Sequence, residues 1–285
     1  MKLSFKLEDI AAVLLVTLAS LLVFFGMTYR MQTKYHGGRS PSGTGSSQIL
    51  DLPMVTPGKS GKAGNAAPKA QAASQVFKIG IIDTGYDKSI DDHHVKLCPS
   101  GHFDAFSQKP VVNYTHFHGT AVAQTIADQL EDVNYCFVIY QVGTPMGITA
   151  EALGDALKRA RNEGLVAVNI SLEGRTYSFE ERQSIALLGS KGTAVFVAAG
   201  NRHADLDKAC MSYPACYGLP NMYVVGATQD EGEFQANYSN YGLRVSVWES
   251  GDIDFNGETV RGTSFASPRA LGDYVRSLSR LAAGK

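Results

Sequence analysis

Between Lys78 and Leu281, short apolar runs alternate with stretches of helical period, and this alternation restricts the fold more than any other feature of the chain. The runs Lys78 to Ile82, Tyr135 to Val142, Leu165 to Leu172, Thr193 to Ala198 and Met222 to Gly226 predict buried strands. Helices are predicted near His118 to Leu130, Thr149 to Glu163, Phe179 to Lys191 and Ser264 to Leu281. Strand and helix in alternation imply an α/β fold, a mostly parallel sheet with helices on both faces. Sheets of that kind bind ligands beyond the carboxyl ends of their strands.

Chemistry-bearing residues cluster at those predicted strand ends. Asp83 follows the first run in Ile81-Ile82-Asp83-Thr84-Gly85, and Asn201 follows the fourth in Ala198-Ala199-Gly200-Asn201. His118 opens a helix in His118-Gly119-Thr120, and Ser264 opens another in Gly262-Thr263-Ser264-Phe265-Ala266-Ser267-Pro268. A serine hydroxyl becomes a nucleophile when an imidazole takes its proton, and a buried carboxylate fixes the tautomer of that imidazole. The amide of Asn201 and the backbone N–H of Ser264 suit the oxyanion that follows attack, as does the dipole of the helix that Ser264 opens. Folding is therefore expected to bring the His118 ring into contact with the Ser264 hydroxyl. Taken singly, these residues also read as an Asx turn, two helix caps and a left-handed turn residue.

With these four motifs in the order Asp, His, Asn, Ser, the chain from about Lys78 to Leu281 resembles the subtilisin-like serine peptidases, the subtilases. The resemblance implies that Asp83 orients, His118 is general base and acid, Ser264 is the nucleophile and Asn201 the oxyanion donor. It also implies that the segment Ser171, Leu172, Glu173 and Gly174, together with Ala199 and Gly200, binds the substrate backbone. The implied activity is that of a serine endopeptidase acting on proteins or peptides. A catalytically inactive binding module of the same fold is the alternative.

Several positions depart from the family pattern. Ala121 and Arg269 stand where subtilases often have histidines, and Gln124 where glycine is common, which bears on packing and not on chemistry. Glu173 replaces a glycine beside the cleft, where it narrows the cleft, attracts a basic substrate residue, or simply stands solvated at a strand end. The segment before Lys78 lacks the look of the family's folded prodomain, and little follows the nucleophile helix. No calcium loop is recognised after His118, so neither a cofactor nor a metal is expected, with calcium left open as an alternative that no motif supports.

The run from Ile10 to Met27 carries no charge and is long enough for a bilayer core, which needs about 20 apolar residues. Residues 1–28 are thus expected to form a cytoplasmic tip and transmembrane signal-anchor, with a cleaved signal peptide as the alternative. Residues 29–76, rich in Gly, Ser, Pro and Ala, are expected to be a flexible linker, and 77–285 the peptidase domain. Lys2 and Lys6 before the span nearly balance Arg30, Lys34 and Arg39 after it, so charge alone gives no clear orientation. The cysteines tip the balance. Cys98, Cys136, Cys210 and Cys216 make an even set suited to an oxidising space, which favours an extracytoplasmic domain. The favoured pairing joins Cys210 to Cys216 and Cys98 to Cys136, against a zinc site with nearby histidines or buried free thiols. A formal net charge of −1 gives no reason to expect nucleic acid as a partner.

Overall fold

The computed structural model describes residues 75–91, 93, 95–109, 116–144, 147–229 and 234–284. The expected anchor and nearly all of the expected linker lie outside these residues. Among the described helices, none is long and apolar enough to cross a membrane.

A single large sheet organises the domain. Its strands are β1 (Phe77–Asp83), β2 (Phe103–Asp104), β3 (Tyr135–Gln141), β6 (Ala167–Ile170), β7 (Ala194–Ala198), β8 (Met222–Gln229), β9 (Phe234–Gln235) and β10 (Val247–Ser250). Two small antiparallel hairpins complete the set: β4 (Gly143–Thr144) with β5 (Gly147–Ile148), and β11 (Asp252–Phe255) with β12 (Glu258–Arg261). The order across the sheet is β10-β8-β7-β6-β1-β3-β2, every neighbour parallel, and β9 adds to β8 in antiparallel sense. All five predicted runs are strands of this sheet.

The helices are α1 (Phe117–Asp128), α2 (Ala150–Ala160), α3 (Phe179–Gly189) and α4 (Thr263–Ala282). Two hydrophobic cores flank the sheet because successive strand residues point to opposite faces. Ile79, Ile81, Phe137, Ile139 and Phe196 pack with α1 and α4. Val138, Tyr140, Val168, Val195 and Val197 pack with α2 and α3. Local chemistry sets the helix starts. Thr149 accepts from Ala152 N at 3.2 Å to cap α2, and Ser178 accepts from Glu181 N at 3.2 Å to cap α3.

Both favoured cysteine pairings occur, Cys98 with Cys136 and Cys210 with Cys216. With all four sulfurs in disulfides, no thiol remains to bind zinc. Of the unusual positions, Ala121 is fully buried, and Gln124 donates to Asp91 Oδ1 at 3.1 Å. Arg269 donates to the Asp252 carbonyl at 3.1 Å. All three line a groove of about 330 Å³ that also takes in Phe255 and Gly257 but not Asp83, His118 or Ser264.

Candidate active site

The carboxyl ends of β1, β6 and β7 lie side by side in the sheet, which brings the loops carrying Asp83, Ser171 and Asn201 to one edge. Asp83 is the last residue of β1 and is fully buried; His118 sits in the first turn of α1. His118 Nδ1 is 2.7 Å from Asp83 Oδ1, which also accepts from Thr84 N at 2.7 Å. A carboxylate only accepts, so Nδ1 carries the proton and Nε2 of the neutral ring holds the free lone pair. Asp83 Oδ2 is buried without a partner among the described residues.

This contact depends on two glycines. Gly85 turns the chain after Asp83 with φ 101°, and a Cβ on Gly119 would collide with the Gly85 carbonyl. Thr84 Oγ1 accepts from Gly119 N at 3.0 Å and fixes the start of α1 against the β1 loop. Burial of His118 disfavours its charged form, but the charge and hydrogen bond of Asp83 more than offset this and raise the imidazole pKa above its ordinary 6.5.

Ser264 lies in the first turn of α4, directly after Thr263. Pro268 lies one turn into the same helix. Lacking an N–H, it cannot bond the carbonyl four residues earlier, which belongs to Ser264. That carbonyl instead accepts the Ser171 hydroxyl at 2.7 Å. A buried chain continues behind it: Asn169 Nδ2 donates to Ser171 Oγ at 2.9 Å, and Ser267 Oγ donates to Asn169 Oδ1 at 2.8 Å. The proline thus frees the acceptor through which the β6 loop grips the Ser264 turn.

The Ser264 hydroxyl itself donates to the Ser171 carbonyl at 3.3 Å. Among the described residues no hydrogen bond joins it to His118, contrary to the expected contact. The His118 ring packs against the adjacent Phe265, with centroids 5.5 Å apart. A 3.3 Å bond is long for a hydroxyl donor, and catalytic hydrogen bonds often tighten only with substrate bound.

Asn201 is held by Thr263. Its Oδ1 accepts from Thr263 N and Thr263 Oγ1, each at 2.9 Å, so the amide Nδ2 is the end left to donate. Thr263 Oγ1 in turn accepts from Gly200 N at 3.1 Å. Asn240 secures the same loop: its Nδ2 donates to the Ala199 carbonyl at 2.7 Å, and its Oδ1 accepts from Arg202 N at 3.1 Å. Gly200, at φ 103°, has no room for a side chain beside Asn240, Glu173 and Ser212.

Of the expected substrate residues, Ser171 and Leu172 are buried and Gly174 is exposed. The backbone of Gly174 is already paired with Tyr213, by Gly174 N to Tyr213 O at 2.8 Å and Tyr213 N to Gly174 O at 2.9 Å. Glu173 faces Gly200, and its Oε1 accepts from Ser212 Oγ at 2.8 Å and lies 3.0 Å from Arg202 Nη1. Sequence reasoning assigned no role to Thr84, Thr263, Asn240 or Ser212. Thr84 and Thr263 sit inside quoted motifs and were open to a capping or orienting reading, whereas nothing local marks Asn240 or Ser212. Among the described residues no group of three or more His, Cys, Asp or Glu gathers as for a metal ion.

Comparison with known proteins bears on family and fold. The model of the Subtilase family matches residues 74–279. Subtilisin DY of Bacillus licheniformis is 29% identical over 217 residues, covering 71% of this chain and 77% of that protein. Subtilisin Savinase of Lederbergia lenta is 27% identical over 209 residues, covering 68% and 73%. Among solved structures, a lanthipeptide protease superposes with a TM-score of 0.63 at 22% identity, covering 73% of this chain and 75% of its own. A cold adapted subtilisin-like serine proteinase superposes with a TM-score of 0.59 at 24% identity, covering 72% and 76%. At those identities the two structures bear on the fold alone.

Proposed function

The chain belongs to the subtilase family of serine peptidases, and from that premise we propose that it is a membrane-anchored endopeptidase acting through Asp83, His118, Ser264 and Asn201. The observation that carries the proposal is the 2.7 Å contact between buried Asp83 and His118 at the sheet edge that also bears the Ser264 turn and Asn201. Substrate enters along Ser171 to Glu173, since the Gly174 backbone is held by Tyr213, and the Ser264 hydroxyl turns from the Ser171 carbonyl to His118 Nε2. Its oxygen then attacks the peptide carbonyl while the proton passes to Nε2. Negative charge on the carbonyl oxygen is met by Asn201 Nδ2 and Ser264 N–H. The C–N bond breaks, His118 returns the proton to the leaving amine, and water resolves the acyl-enzyme by the reverse sequence. Asp83 stays ionised and steadies the imidazolium.

The uncharged run Ile10 to Met27 is the support for the anchor. Two disulfides support a domain on the extracytoplasmic side. Protease protection of the 77–285 region in sealed vesicles tests that side, and digestion from the cytoplasmic face would reject it.

A second reading, an inactive binding module, draws on the Ser264 hydroxyl bonding Ser171 rather than His118. A serine-directed phosphonylating reagent separates the two. The full-length chain should be labelled at Ser264 and should cleave a peptide mixture, while Ser264→Ala should lose labelling and on the order of 10⁶ in turnover. An unlabelled wild type that is folded would favour the module.

A further inference from the structure

Glu173 belongs to the loop after β6 and reaches across to the facing segment Ala199 to Asn201. Its side chain is only 18% exposed, and its carboxylate rests against Gly200, 2.8 Å from where a Cβ would stand. The Ser212 Oγ lies 2.8 Å from Oε1 and 2.9 Å from the Ala199 carbonyl, and its one proton serves these two acceptors in alternation. Arg202 Nη1 approaches the same oxygen at 3.0 Å, but from a side chain that is 44% exposed. Among the described residues no hydrogen bond reaches Oε2.

From this geometry we propose that Glu173 selects a basic side chain on the residue whose carbonyl Ser264 attacks, and that Arg202 occupies the place of that side chain until substrate arrives. The inference rests on the peptidase reading and adds a substrate class to it. The carboxylate stands against Gly200, next in sequence to the oxyanion donor Asn201, and belongs to the loop whose Ser171 anchors the Ser264 turn, so a substrate side chain entering between these two loops meets it. A lysine or arginine there exchanges one cation for another, so the carboxylate is never left unpaired in a water-excluded cleft. The outgoing partner is the exposed member of the pair: the Arg202 side chain moves into solvent as the incoming cation replaces it on the carboxylate. An incoming guanidinium has the free Oε2 as well as Oε1 and meets the carboxylate with two parallel donors. An apolar side chain strips water from the charged pair and returns nothing to it, and an acidic one faces Glu173 directly.

The test uses the full-length protein and fluorogenic peptides that differ only at the residue before the cut, Arg, Lys, Leu or Glu. Wild type should favour Arg and Lys over Leu in kcat/KM by about tenfold or more. Glu173→Gln, which keeps the shape and the Ser212 contact, should lower that ratio by on the order of tenfold to a hundredfold. Arg202→Ala should lower KM for the Arg and Lys peptides and not for Leu, since it removes the competing cation. Because each ratio is taken within one protein, partial misfolding of a variant cancels. Wild type that cuts Leu or Glu peptides as fast as Arg, or a Glu173→Gln ratio within about twofold of wild type, overturns selection by Glu173. An unchanged KM for Arg peptides in Arg202→Ala overturns the place-holding role. If wild-type Ser264 fails to react with the phosphonylating reagent, the peptidase reading itself fails instead.

Discussion

His118 faces two opposed influences, and which of them wins fixes how the enzyme should respond to pH. Burial works against the imidazolium, yet Asp83 prevails and the pKa lies above 6.5. A base must be neutral to accept the Ser264 proton, so kcat/KM should rise with pH through a midpoint above that of a free histidine. In Asp83→Asn the midpoint should move down and turnover should fall by on the order of 10⁴. A rate limb that stays where it was would show that Asp83 does not govern the base. The raised pKa also has a sign for stability: the charged pair stabilises the fold below 6.5, and that contribution is lost as pH rises through the folded-state value. The working form of the site is therefore the less stabilised one. Asn201 and Thr263 form a second test at this scale. Asn201→Ala should cost on the order of 10²–10³ in kcat, the range known for removing one such donor from a related peptidase. Thr263→Val leaves the donor and the Thr263 N–H contact in place and removes the hydroxyl that bonds Asn201 Oδ1 and Gly200 N, so its loss should be nearer tenfold. Equal losses in steady-state assays would mean that Thr263 does more than orient.

At the scale of elements, the approach of α1 to the β1 loop is the joint on which the Asp83–His118 pair depends. Gly119→Ala puts a methyl group into the Gly85 carbonyl, and backbone cannot yield as a flexible side chain can. The expected loss is about 3 kcal/mol of unfolding free energy, read as a lower denaturant midpoint at unchanged slope, together with loss of serine labelling. Retention of both would mean that the β1 loop can move. The strands around this joint were legible because β1, β3, β6, β7 and β8 are continuous apolar runs. Edge elements were not. β10 is buried at Val247 but only half-buried over its other three residues, so no continuous apolar signal marks it. The β11–β12 hairpin does carry a signal, Asn256-Gly257 with φ 54° and 81°, the turn pair that suits two-residue hairpins. A search for buried runs passes over it because its strands alternate with charge. The site divides in the same way: groups inside short motifs were readable, while Asn240 and Ser212 arrive from distant loops that only the assembled sheet edge brings in. Pro268 shows a finer limit, since its meaning lies in the Ser264 carbonyl it frees.

For the molecule as a whole, the two disulfides differ in what they constrain. Cys98 and Cys136 are 38 residues apart and tie the segment before β2 to β3, where Cys98 N also donates to the Phe137 carbonyl at 2.9 Å. Cys210 and Cys216 are 6 apart and close the short loop that carries Ser212 and Tyr213, the residues touching Glu173 and Gly174. Loop-closure entropy alone assigns about 4 kcal/mol to the first and about 2 kcal/mol to the second. The double variant Cys98→Ser with Cys136→Ser should therefore lower Tm by on the order of 10 °C in a domain of this size. Cys210→Ser with Cys216→Ser should lower Tm less, because the β7 and β8 strands on either side of its loop stay packed in the sheet. Its main effect should fall on the Arg-to-Leu cleavage ratio, since Ser212 is no longer held under Glu173. Calorimetry and peptide kinetics on the two double variants check both halves. If the small loop dominates Tm, or the large one dominates selectivity, the division of labour fails.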